Sequence, residues 1–186
     1  MTKQRLYPII AILLFTLSIW YVFYDLSPQY HTDFNAKAEN FSTDRAFKHV
    51  ENIAKKTHFV GTKQHSYTRN YIIEQLEDLG LKVHTQQDYS LTKYGDFTIP
   101  QNIIAKIDGQ NPEAKSLLLM SHYDSDPHSS YGASDAASGV AAILEAVRAY
   151  LSTGVKPQHD IIICFTDAEE LGLIGANLFV DKHPWA

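Results

Sequence analysis

The sequence predicts an α/β fold with a mainly parallel, mixed sheet covered by helices and preceded by one apolar amino-terminal segment. Three observations carry that expectation. Two continuous apolar runs, Ser116–Met120 and Ile161–Phe165, read as strands buried on both faces. Helix-patterned stretches alternate with them, the order that lays helices over a parallel sheet. Leu6–Tyr24 is uncharged and long enough to cross the hydrocarbon core of a bilayer.

At the amino terminus Lys3 and Arg5 precede the apolar stretch. Its length exceeds the apolar region of about 7–15 residues in a cleaved secretory signal, and no small-x-small cleavage site follows it. Trp20, Tyr21 and Tyr24 cluster at its distal end, as an interfacial aromatic belt does. These features predict a cytoplasmic stub over residues 1–5 and a retained, lipid-contacting signal anchor over residues 6–24. By the positive-inside rule, everything after about Asp25 then lies outside the cytoplasm. Residues 25–40 are polar without a sustained period, which predicts a juxtamembrane linker ahead of a folded domain over 41–186.

Within that domain, Ser42 or Thr43 caps a helix that spaces Ala46, Val50, Ile53 and Ala54 at helical intervals. A second helix is predicted from about Ser66 to Leu79, stopped by Gly80. From Leu81 the pattern turns to strand, in LKVHTQQDYS, NIIAKIDG and KSLLLMSHYDS. A helix from about Ala136 to Ser152, the strand in HDIIICFTDAEE and a helix in LGLIGANLFVDKH complete the series. The chain has 186 residues and is 45% hydrophobic, which is ordinary globular composition. A net charge of −5 without a basic run excludes the electrostatic footprint of nucleic-acid binding. Cys164 is the only cysteine, so no internal disulfide forms, and its apolar strand marks it as a small core residue.

Chemistry-bearing residues gather where these strands end, the place where open α/β sheets bind ligands. His122 and Asp124 leave one strand with Tyr123 between them. Period two turns both side chains the same way, so Asp124 can accept from the imidazole nitrogen that faces away from a metal. Asp135 sits in the glycine-framed segment GASDAASG, where either a helix cap or a metal ligand suits an aspartate. Asp126 and His128 lie in a surface excursion between them and read as solvated. After the last strand comes DAEE, Asp167–Glu170. Adjacent glutamates there can divide labour, one binding a metal and the other acting as general base; alone, they would be no more than favourable charges at a helix start.

Taken together, HYDS, GASDAASG and DAEELGLIG resemble the metal-site segments of the co-catalytic zinc aminopeptidases, metallopeptidase family twenty-eight, from about THFVGT to the carboxyl terminus. The resemblance implies a three-layer α/β/α zinc exopeptidase fold, of the phosphorylase/hydrolase-like kind. Residue by residue it implies His122 as ligand of one zinc, Asp135 as the carboxylate bridging two, and Glu170 as ligand of the second. Glu169 becomes the general base and Asp124 the partner of His122. The reaction implied is removal of an amino-terminal residue from a peptide, with two zinc ions. The anchored arrangement and FVDKHPWA resemble the endoplasmic-reticulum metallopeptidase branch. Two further ligands are implied, an acidic residue after the next strand and a late histidine. Asp181 and His183 fall within or just past a helix and do not fit those places. The chain is therefore expected to be the amino-terminal part of a longer enzyme, with an incomplete sheet. A metal-free transferrin-receptor-like ectodomain and a single-zinc glutaminyl-cyclase-like acyltransferase are the alternatives on the same scaffold.

Overall fold

The computed structural model describes residues 3–27, 31–92, 95–111, 113–128 and 130–186. Residues 1 and 2 of the expected stub and residues 28–30 of the expected linker lie outside them. The chain divides into two compact units, Met1–Thr32 and Asp33–Ala186.

The first unit is one helix, α1 (Lys3–Leu26). Its stretch Leu6–Leu26 is long and apolar enough, by length and composition, to cross a membrane. Large apolar side chains are exposed all round it. Thr16 and Ser18 donate their hydroxyls to the carbonyls of Ile12 and Leu14, at 2.9 and 2.8 Å, so these two hydroxyls are satisfied within the helix.

In the second unit, α2 (Thr43–Ile53) is capped by Ser42, whose Oγ accepts the Arg45 N–H. Helix α3 (Lys63–Asp78) begins ahead of the expected Ser66 because Thr62 is its capping side chain, accepting the His65 N–H at 3.1 Å. Strand β1 (Val83–Gln87) and a small hairpin of β2 (Ser90–Leu91) and β3 (Phe97–Thr98) lead to β4 (Gln101–Ile107) and β5 (Leu117–His122). Then follow α4 (Ser138–Ser152), β6 (Ile161–Thr166) and α5 (Ile174–Lys182). The four-stranded sheet runs β1-β4-β6-β5. It is mixed, but its parallel share is smaller than the apolar runs implied. Among the described residues only β5–β6, joined through a helix as a parallel pair must be, is parallel; β1–β4 and β4–β6 are antiparallel.

Alternation along the central strands builds the layers. Ile103, Ala105, Ile163 and Phe165 face Ile72 and Leu76 of α3 and Val140 and Leu144 of α4. Ile104, Ile162 and Cys164 face Phe179 of α5 on the opposite side. Burial pushes the Cys164 thiol up to about 12, which keeps it protonated and inert. Strand β5 departs from expectation. Leu117, Leu118 and Met120 are exposed, because β5 ends the sheet and has β6 as its only strand partner among the described residues.

Residues 33–42, largely within the stretch read as linker, are tied to the helical layer. Buried Glu145 of α4 accepts from the Ser42 N–H, Arg45 Nε and both Nε and Nη2 of Arg148. The same two guanidinium groups donate to the carbonyls of Phe34, Ala36, Ala38 and Asn40. Burial opposes ionisation of Glu145, yet these hydrogen bonds outweigh it and hold its carboxyl below the usual range.

Candidate metal centre

Parallel strands β5 and β6 end side by side, His122 opposite Thr166. Each strand therefore delivers its polar exit segment to the same place. The third segment enters from the helix side. Gly132, in the left-handed region at φ 69°, starts a π-type turn over Ala133–Ala137 in which Asp135 (φ −118°, ψ 96°) and Ala136 depart from helical values. Helix α4 follows at Ser138 without a side-chain cap. Asp135 is thus not a helix cap; its carboxylate turns to His122, where Nε2 donates to Oδ1 at 2.8 Å.

Donor atoms of His122, Asp135 and Glu170 all lie within 4.8 Å of one another. Glu169 approaches the same imidazole, at 3.9 Å from Nε2. Burial works against protonating His122, but Asp124, Asp135 and Glu169 outweigh it and raise the imidazole to about 9. Burial, and then the charge of Asp135, raise Glu170 above the ordinary carboxylate range. The carboxylates that raise His122 make a negative pocket that favours a cation. One imidazole nitrogen with two carboxylates is a donor set that suits zinc. On the far side of the ring, Nδ1 donates to the Asp124 carbonyl at 3.0 Å. That bond fixes the ring orientation a ligating histidine needs.

Asp124 stands beside His122 and makes further contacts. Its carboxylate lies 3.5 Å from Nδ1, while its own carbonyl takes the closer bond. The carboxylate also accepts the backbone N–H groups of Glu169 and Glu170, at 3.1 and 3.3 Å. It anchors the segment that carries both glutamates. That segment is an irregular turn ahead of α5, not a helix start, with Ala168 and Leu173 at positive φ. Asp126 and His128 stay in their loop, where Asp126 accepts the His128 N–H at 2.7 Å.

Two residues that the sequence did not single out lie behind the turn. Buried His65 of α3 donates through Nε2 to Asp167 Oδ1 at 2.8 Å, and the Gln101 N–H donates to Asp167 Oδ2. The His65 ring stacks on Tyr123, whose hydroxyl donates to the Gln101 carbonyl. Asp167 is legible as part of DAEE; His65, far away in sequence on an ordinary helix, gave no signal. Gly175 closes the turn: a Cβ there would meet the Asn102 Oδ1 and the Asp167 carbonyl oxygen at 2.3 Å each.

Residues 102–186 match the family described as Peptidase family M28. Among curated proteins, a vacuolar membrane protease of Vanderwaltozyma polyspora is 31% identical over 163 residues, 77% of this chain and 17% of that protein. The chain therefore spans about a sixth of that relative's length. Among solved structures, Porphyromonas gingivalis glutaminyl cyclase superposes with a TM-score of 0.68 at 28% identity, covering 78% of this chain and 55% of the other. A leucine aminopeptidase precursor from Bacteroides thetaiotaomicron gives 0.65 at 28%, over 81% and 59%. A Zn-dependent exopeptidase from Parabacteroides distasonis gives 0.62 at 30%, over 72% and 49%.

Proposed function

We propose that the protein, whose residues 102–186 match peptidase family M28, is a zinc-dependent aminopeptidase acting on peptides. The observation that carries this reading is the convergence of His122, Asp135 and Glu170 within 4.8 Å, with Glu169 beside them. In the proposed site these three residues would hold the zinc of a two-ion centre. Bound there, zinc supplies Lewis acidity toward the scissile carbonyl and lowers the pKa of the attacking water. Glu169 takes a proton from that water on its carboxylate and returns it to the leaving amine. Asp124 holds the Glu169 and Glu170 backbone in place while this happens. The exposed carboxylate of Asp135 gives the mouth of the site a negative field that suits a peptide's free ammonium group. The proposal also takes α1 as a single membrane anchor with the catalytic unit outside the cytoplasm.

Glutaminyl-cyclase chemistry is the second reading, favoured by the fold's superposition on the Porphyromonas gingivalis enzyme. One assay separates the two: the full chain in detergent, supplied with zinc, is given glutaminyl and alanyl peptides and the products are weighed by mass spectrometry. Chelator-sensitive release of the first residue, lost in Glu169→Gln, is the expected result. Loss of ammonia from the glutaminyl peptide without hydrolysis of either would replace the peptidase by the cyclase.

A further inference from the structure

Adjoining the candidate centre is an open cleft of about 510 Å³, lined among others by His65, Arg69, Phe97, Ile99, Gln101 and Leu171. It adjoins the site through shared residues. Leu171 directly follows Glu170, and His65 and the Gln101 N–H are the two groups that hold the Asp167 carboxylate. Arg69 lies one helical turn after His65, so α3 presents both on one face.

The state of Arg69 separates it from the unit's other arginines. Arg45 and Arg148 commit their guanidinium donors to Glu145 and to backbone carbonyls. Arg69 is half-buried, yet it makes no hydrogen bond or ion pair among the described residues. A guanidinium offers five donors in a planar fork whose geometry matches a carboxylate. Asp96 also lines the cleft, but it is exposed on the segment between β2 and β3 and forms no ion pair with Arg69. Phe97, Ile99 and Leu171 give the remaining walls an apolar surface.

Resting on the peptidase reading, we propose that Arg69 is a specificity residue that receives a carboxylate of the peptide substrate in this cleft. The carboxylate has two possible sources, the free carboxyl terminus of a short peptide or an acidic side chain, and both present the same pair of oxygens. Bidentate pairing with Arg69 orients the peptide while its amino end lies at His122, Asp135 and Glu170.

The test measures peptide affinity by calorimetry on the full, zinc-supplied chain in detergent, carrying Glu169→Gln to prevent turnover. Two matched pairs are used: Ala-Ala-Ala with its carboxyl-terminal amide, and Ala-Glu-Ala-amide with Ala-Gln-Ala-amide. The acid member of one pair is expected to bind about tenfold tighter or more, the range of a charge-assisted hydrogen bond. Which pair shows the ratio identifies the source. Adding Arg69→Gln should bring the ratio near one, and Arg69→Lys should leave it in between. Because each ratio is taken within one variant, a partial loss of folded protein cancels. Equal affinities in both pairs with Arg69 present, or a ratio that survives Arg69→Gln, overturns the proposal. Hydrolysis of the neutral amides by the chain with Glu169 intact judges the peptidase reading separately. Hydrolysis without an acid preference removes Arg69 alone. An acid preference that depends on Arg69, without hydrolysis or bound zinc, removes the peptidase and keeps the carboxylate site.

Discussion

Four of the aspartate and glutamate side chains that meet at one end of the sheet sit under opposite conditions. Asp135 is 76% exposed and Glu169 34%, whereas Asp124 is 1% and Asp167 0% exposed. The front pair faces open space with donor capacity to spare. The rear pair is saturated, Asp124 by two backbone N–H groups and Asp167 by His65, Gln101 and the Ala168 N–H. On the proposed reading, the front groups act and the rear groups position them. Substitutions at the front should change chemistry and spare the fold, and those at the rear should do the reverse.

Glu169→Gln gives the largest expected effect: peptide hydrolysis falls by roughly 10²–10⁴-fold, the usual worth of a general base. Zinc content and unfolding temperature should stay at the parent values, since the Asp124 contact is made by the backbone of residue 169 and survives. Asp167→Ala is next. It leaves His65 and the N–H groups of Gln101 and Ala168 without their buried acceptor, and stability should fall by about 3–5 kcal/mol, read by thermal unfolding in detergent. A variant that kept its stability but lost activity would place Asp167 with the front. Gly175→Ala should cost about 1–3 kcal/mol by the same measurement, because the added methyl meets Asn102 and the Asp167 carbonyl.

The smallest effect concerns pH. His58 is fully buried, with its N–H donated to Ser125 Oγ. Burial, as the largest cause, lowers its pKa; the Lys56 carbonyl opposes this, while the charges of His65 and His122 add to it. Its folded pKa lies below the unfolded value near 6.5, so the unfolded chain binds more protons as pH falls. The contribution is fully present above about pH 6.5 and is lost as pH drops from there toward the folded pKa. Comparing unfolding at neutral and mildly acidic pH in the parent and in His58→Gln checks it: the acid-induced loss should be smaller in the variant.

The same division explains what the sequence made legible. Front residues follow apolar strands as dense local motifs, so HYDS, GASDAASG and DAEELGLIG could be read without coordinates. Their mutual approach needed only two neighbouring parallel strands. Rear contacts join positions such as His65 and Asp167 whose separation in sequence carries no pattern, and a buried histidine on a helix looks like any polar helical residue. Asp124 was read as the partner of His122 because alternation placed it on that side. The N–H groups of Glu169 and Glu170 also use its oxygens, which only the folded turn reveals. Strand β5 misled for a related reason: an apolar run states what a strand can bury, and its place at the sheet edge decides what it does bury. Its Leu117, Leu118 and Met120 remain open.

Zinc binding to the front residues is the central claim, and metal content after dialysis of the full chain, measured by mass spectrometry, tests it most directly. Bound zinc should be present in the parent and in Glu169→Gln, and should fall to background in His122→Ala and Asp135→Ala while both variants keep the parent's helical circular dichroism. No zinc in the parent, or the same zinc in a folded His122→Ala chain, would contradict it.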